Sequence, residues 1–208
     1  MEKSTKLIAP FIFALLILFL VKCANQMAPT GGDPDLTPPT VLEIYPMAGT
    51  TNFTDNYLEI TFSEYVDRRS FKESIFISPD IDGPIEYDWS GTSVEISFED
   101  TLKENTTYTI TVGTDVADVN NRNKMSEAFN FAFSTGPEID EGRISGKVYD
   151  AKPDGAIICA YKIDTEEYNP VDKKPTYRSQ VGDNGKYKFL GLAPGQYRII
   201  ALRDEFRD

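Results

Sequence analysis

The residue best placed to do chemistry in this sequence is Cys23, which stands just after a fifteen-residue uncharged apolar run, Leu7 to Val21. A thiol is nucleophilic as its thiolate. The second cysteine, Cys159, lies in the apolar stretch Ala156-Ile-Ile-Cys-Ala-Tyr161, where a thiol packs as a small hydrophobe more readily than it reacts. A bridge between the two would join the end of a leader to a distant strand, which is odd architecture. The chain contains no histidine, and so lacks the usual general base near neutral pH and the commonest metal ligand. Ser-His-Asp and Cys-His catalysis, and His-rich zinc sites, cannot be assembled from this chain alone. No phosphate-cradling glycine loop or Cys-x-x-Cys pair is present.

Oxygen chemistry is the remaining option. Asp115, Asp118, Asn120 and Asn123 make the best acidic loop, and calcium accepts six to eight oxygens in irregular geometry. They are weak metal candidates, because EF-hand spacing is missing and a structural turn explains them better. Trp89 with Tyr87 could form a sugar-stacking platform, a weak glycan candidate against which a core position weighs. Glu64, Asp67, Glu95 and Glu99 are the carboxylates nearest strands, but nothing in the sequence brings two of them to about 5–9 Å across a cleft, as glycosidic chemistry needs. Solvated faces account for them. Asp204, Glu205 and Asp208 cluster at the end of the sequence and carry no reading. The expectation is no catalytic residue, no metal and no cofactor.

The formal net charge is −12. Without residues 1–22 it becomes −14, from 18 basic and 32 acidic residues. Such a surface repels phosphate backbones, so nucleic acid is excluded as a partner; acidity of this kind chiefly keeps a protein soluble. Apolar residues make up 40% of the chain, enough for a packed core.

Several elements must position these residues. Lys3 and Lys6 precede the apolar run, which is short for crossing about 30 Å of hydrocarbon but right for the apolar region of a signal peptide. The run ends in Leu20-Val21-Lys22-Cys23, which resembles the lipobox of bacterial lipoproteins. The resemblance implies that Cys23 receives a diacylglycerol thioether and becomes the new N-terminus, residues 1–22 being the signal peptide. Lys22 departs from the small residue usual at that position. The competing reading is an uncleaved single-span anchor with Lys22 as its flanking charge; both readings tether the protein outside the cytoplasm. Residues 23–37, with Gly31-Gly32 and prolines at 29 and 34, read as a semi-extended tether that supports neither helix nor central strand.

From Val41 the pattern has period two. Leu58, Ile60 and Phe62 alternate with polar residues, as do Val94, Ile96 and Phe98, then Tyr108, Ile110 and Val112, then Phe129, Phe131 and Phe133. Successive strand side chains point to opposite faces, so each run has one apolar and one polar face. Shorter strands fit Val41–Tyr45, Ser74–Ser78 and Ile85–Trp89, with turn clusters such as Asp80-Ile-Asp-Gly-Pro84 between. No segment shows sustained helical periodicity. About seven such strands bury their apolar faces as two packed sheets. The stretches Thr37-Pro-Pro-Thr-Val41, Tyr45-Pro46, Ile60-Thr-Phe-Ser-Glu-Tyr-Val66 and Phe129-Asn-Phe-Ala-Phe-Ser-Thr-Gly136 resemble a bacterial Ig-like domain of the type found in S-layer proteins and Bacteroidetes-type surface lipoproteins. The resemblance covers residues 38–136.

After an acidic linker, residues 137–141, a second block begins with Gly142-Arg-Ile-Ser-Gly-Lys-Val-Tyr149. Ala156–Tyr161 reads as a strand buried on both sides. Asn184-Gly185 is the dipeptide that best accepts a tight hairpin, and Pro194-Gly195 turns into Tyr197–Ala201. The pattern Gly-x-Tyr-x-Phe-x-x-Leu-x-Pro-Gly-x-Tyr closely resembles the signature of carboxypeptidase regulatory-like, or prealbumin-like, domains. The resemblance spans residues 142–208 and implies an accessory sandwich without a catalytic centre. That domain normally carries one or more further strands, so the expectation is an incomplete second sandwich in a chain that continues.

The fold expected is all-β, two tandem β-sandwiches after a signal peptide and flexible linker. The function expected is that of a non-catalytic lipoprotein of the cell envelope, located at the outer membrane and periplasmic or surface-facing. It is lipid-anchored to the membrane and acts as a structural, spacer or adhesion module with an unassigned protein or glycan partner. Two alternatives stay open: a glycan-binding accessory lipoprotein for polysaccharide capture, and the non-catalytic N-terminal part of a longer envelope enzyme.

Overall fold

The structure, a computed structural model, describes residues 31–163 and 173–203. Residues 1–22, Cys23, the first part of the tether, and Asp204, Glu205 and Asp208 lie outside them.

The alternating runs of the first block form strands. One sheet takes the order β1-β2-β5-β4, from Val41–Tyr45 (β1), Tyr57–Phe62 (β2), Ile85–Ser90 (β4) and Ser93–Phe98 (β5). The other takes the order β3-β6-β7, from Ile75–Ser78 (β3), Thr107–Val112 (β6) and Phe129–Ser134 (β7). All pairs are antiparallel. Leu58, Ile60, Phe62, Val94, Ile96 and Phe98 from one sheet meet Tyr108, Ile110, Val112, Phe131 and Phe133 from the other in a single apolar core. Period two does the work here, since it puts every second side chain on the face that the opposite sheet covers.

The all-strand expectation needs one correction. A short helix, α1, spans Arg68–Ser74. Seven residues are too few to show a helical period; local capping starts it instead. The Asp67 carboxylate accepts the Ser70 amide at 2.8 Å, satisfying one of the orphan donors of the first turn. Phe71 then drops into the core, edge-on to Phe62.

The second block folds as five strands. Ile157–Lys162 (β9) is flanked by Tyr177–Gln180 (β10) and Tyr197–Leu202 (β12), while Gly142–Lys147 (β8) pairs with Lys186–Leu192 (β11). Ile158, Ala160, Tyr177, Val181, Phe189 and Leu192 form a separate core. Here the tight turn expected at Asn184-Gly185 forms, the Gly182 amide donating to Lys186 O at 3.3 Å, but the strands on either side of it part. Gly185 does adopt φ +77° and its amide donates to Gly182 O at 2.8 Å. The turn nevertheless joins β10 of one sheet to β11 of the other, as does the Pro194-Gly195 turn from β11 to β12. The reason is burial: Tyr177 and Phe189 enter the same core from the two sheets, so the chain must cross between layers rather than fold back within one.

Candidate functional site

Strand β6 lies in the middle of its sheet, and every one of its six residues is buried. The sequence pattern gives it a polar face, Thr107, Thr109 and Thr111, expected to meet water. It is buried instead: Thr109 bonds the second sandwich, Thr107 the linker and Thr111 the neighbouring strand β7. Thr109 Oγ1 donates to Leu190 O at 2.9 Å, Thr107 Oγ1 accepts the Asp140 amide at 2.9 Å, and Thr111 Oγ1 donates to Asn130 Oδ1 at 2.6 Å. Gly191 makes this approach feasible. It sits at φ +65°, and a Cβ there would stand 2.8 Å from Thr109 Oγ1 and 3.0 Å from Ala132 Cβ, so only glycine fits.

The seam continues from the end of β6. Thr114 Oγ1 donates to Val181 O at 3.1 Å. Gln180, buried to 3% exposure, accepts the Asp115 amide through Oε1 at 3.2 Å and donates from Nε2 to Asp115 Oδ2 at 2.6 Å and to Gly155 O at 3.1 Å. Lys124 Nζ reaches Asp115 Oδ1 at 2.7 Å from the surface. Farther out, Arg178 pairs with Asp80 at 3.4 Å, and Asn184 Nδ2 donates to Glu127 at 3.2 Å. Buried polar groups that are fully matched fix one relative geometry, because any slip leaves them unpaired. These contacts fasten the two sandwiches to each other.

The sequence candidates are scattered over the structure. Asp115 belongs to this seam. Asp118 is fully buried and accepts the amides of Asn121, Arg122 and Asn123 at 2.6, 3.0 and 2.9 Å. Desolvation pushes its carboxyl up, yet the three amides outweigh it and hold it below the ordinary carboxylate range. Asn120 is exposed, and the Asn123 side chain donates to Asp35 O at 3.0 Å. Asp115 and Asp118 thus turn to different protein donors, and among the described residues no group of three or more acidic or thiol side chains is gathered for a metal.

Trp89 and Tyr87 are half-buried beneath α1. Phe71 packs edge-on to both, with centroids at 5.3 and 6.1 Å, while Arg68 lies over the Trp89 ring and Lys72 over Tyr87 at 5.6 and 4.9 Å. The helix occupies the face that a sugar would stack on. Of the carboxylates, Asp67 caps α1 and pairs with Arg122 at 3.2 Å. Glu64 is held above its ordinary range by desolvation and then by Asp118 and Asp35. Glu95 and Glu99 lie exposed at or beside β5, Glu95 in a row opposite Glu59 and Asp88. Cys159 is a buried free thiol in β9, pushed up by burial and so away from the reactive thiolate. Among the described residues no helix is long and apolar enough to cross a membrane.

Sequence reasoning missed Gln180 and the threonine comb. A signal existed for the comb: the outward face of β5 carries Glu95, whereas that of β6 carries three threonines and no charge, a face polar enough to hydrogen-bond yet cheap to desolvate.

No curated protein matches the chain in sequence. Solved structures with some likeness include the L,D-transpeptidase from Mycobacterium smegmatis, 18% identical over 70% of this chain and 74% of that one, at a TM-score of 0.37. The N-terminal part of the bacterial S-layer protein SbsC is 14% identical over 81% and 45%, at 0.32, and E. coli alpha-2-macroglobulin 13% over 81% and 13%, at 0.35. Likenesses this distant carry no functional argument. Residues 35–135 match the family model of the bacterial Ig-like domain, and the first sandwich is a domain of that kind.

Proposed function

We propose that this protein is a non-catalytic envelope lipoprotein whose two sandwiches act as one stiff spacer or contact module held off a membrane by Cys23. The observation that carries the reading is the buried seam. A loose pair of domains has no need of Gln180 locked between Asp115 and Gly155, or of a glycine-tight approach of β11 to β6. Stiffness is what a module that holds a surface at fixed distance requires. The tether rests on the short apolar run that ends before Cys23 and on the Pro/Gly-rich stretch after it. The second sandwich is read as prealbumin-like from its glycine, proline and aromatic spacing. Asp67 caps α1, Asp118 holds a turn and Asp115 serves the seam, which supports a structural role for these three carboxylates.

Metabolic labelling with a palmitate analogue tests the tether. The wild-type chain should take up label and partition with membranes, and Cys23→Ala should do neither. Equal labelling of the two would end the anchor reading.

A further inference from the structure

Among the described residues eight large apolar side chains stand exposed, and they are not spread evenly. Tyr45 and Met47 lie at the end of the first sandwich where the Phe53 amide donates to Ser134 O at 3.0 Å. The other six, Leu36, Leu42, Tyr65, Val119, Tyr149 and Leu202, lie toward the opposite end, around the loop of residues 113–128. Hydrogen bonds and register place them there. The Val119 amide donates to Tyr65 O at 3.0 Å. Asp35, next to Leu36, accepts the side-chain amides of Asn121 and Asn123 through its carbonyl at 2.8 and 3.0 Å. Leu42 follows Val41, which stands opposite Phe62 at the end of β2. In the second sandwich Tyr149 follows Val148, whose amide donates to Gly185 O at 2.8 Å, and that same turn bonds Ser126 and Glu127. Leu202 stands opposite Ile157, just after Gly155, whose carbonyl accepts Gln180 beside Asp115.

Single exposed apolar residues are ordinary on a protein surface; six of eight toward one end are a bias. That end is also where the chain arrives from Cys23. Asp35 follows Cys23 by twelve residues, so covalent geometry alone holds this end within about 40 Å of an acyl group on that sulfur. The six side chains are dispersed over two sandwiches, among polar groups already bonded within the protein, such as Asp118 with its three amides. A partner protein is gripped through one desolvated centre, which dispersed side chains do not provide. A lipid headgroup layer is broad, and it receives apolar side chains and amphipathic tyrosines one by one. Asp154 and Asp183 stand exposed near Tyr149, so the attraction is apolar rather than a pull toward anionic lipid.

We propose that this end of the module seats on the bilayer surface, with Tyr65, Val119 and Tyr149 entering the headgroup layer and Leu36 beside them. The proposal rests on the Cys23 tether and deepens the spacer reading. A single anchoring point fixes no orientation for a stiff body, whereas a seated end does.

The test uses the full acylated chain reconstituted into phosphatidylcholine vesicles, with a nitroxide attached through Val119→Cys, Tyr149→Cys or Met47→Cys in a Cys159→Ala background. Power-saturation EPR compares access of oxygen, which concentrates in lipid, with access of a water-soluble nickel chelate. The labels at positions 119 and 149 should favour oxygen, and the label at position 47 should stay open to nickel. In Leu36→Ser/Tyr65→Ser the oxygen preference at position 119 should be lost, while palmitate labelling and melting temperature stay unchanged, so that lost seating is neither lost anchoring nor lost folding. A label at position 119 as open to nickel as the one at position 47, in a chain that carries the acyl group, would overturn the seat and leave the tether standing. A chain that takes up no acyl group and leaves the vesicles would end both. Shielding of position 119 from both reagents would assign this end to a protein partner instead, and an undiminished oxygen preference in the double variant would equally refute the proposal.

Discussion

Gln180→Met isolates the seam. Methionine keeps the length and flexibility of glutamine but makes none of its hydrogen bonds. Three are lost: the bond to the Asp115 carboxylate at 2.6 Å, the one accepted from the Asp115 amide at 3.2 Å, and the one to Gly155 O at 3.1 Å. A bond to a charged group contributes about 1.5–3 kcal/mol and a neutral one about 1 kcal/mol. The buried thioether returns part of this through apolar contact, and Lys124 still neutralises Asp115. The net loss should be about 3 kcal/mol, which for a folded unit of this size corresponds to about 6–12 °C in thermal midpoint. Urea unfolding followed by tyrosine and tryptophan fluorescence measures it. A double-mutant cycle with Asp115→Asn should show that the two losses are not additive, since the residues share bonds. A loss below about 1 kcal/mol, or losses that simply add, would refute the idea that this pair fastens the sandwiches.

Other outcomes follow from the same contacts. Gly191→Ala should cost about 2 kcal/mol or more, because the new Cβ meets Thr109 and Ala132 at a positive φ; calorimetry should show the second sandwich melting ahead of the first. Asp67→Ala removes the cap of α1 and should cost about 1 kcal/mol at pH 7. Asp67 is held below the ordinary carboxylate range, first by the Ser70 amide, with Arg122 assisting against desolvation. Its contribution is therefore present above about pH 4 and lost as pH falls through its lowered folded value, so the variant and wild type should converge in strong acid. Glu64 has the opposite sign. Raised by desolvation and by Asp118 and Asp35, its ionised form costs stability at neutral pH, and Glu64→Gln should raise the melting temperature at pH 7 but not at pH 4.

Much of the fold was legible because strand chemistry is local. Leu58-x-Ile60-x-Phe62 and Val94-x-Ile96-x-Phe98 state by alternation alone which face is buried, and the sheets follow. Three features were not legible, for different physical reasons. Helix α1 depends on a single cap, Asp67, too small a signal to read through period. Asn184-Gly185 has the dihedral freedom of a hairpin turn, but whether its flanking strands pair or part is decided by where Tyr177 and Phe189 find a core. The lysines of β8 and β11 are far apart in sequence, Lys147 and Lys186 standing 39 positions apart, and become neighbours only through register.

By itself, then, the sequence determined the all-β class, the two apolar cores and the absence of histidine chemistry, because composition and period two act residue by residue. Only the tertiary structure decided that the threonine face of β6 is an interior surface, that Asp115 serves a seam and Asp118 a turn, and that α1 covers Trp89 and Tyr87. Each of those depends on what lies across a gap, and a polar side chain looks the same in sequence whether water or a second sandwich answers its hydrogen bond.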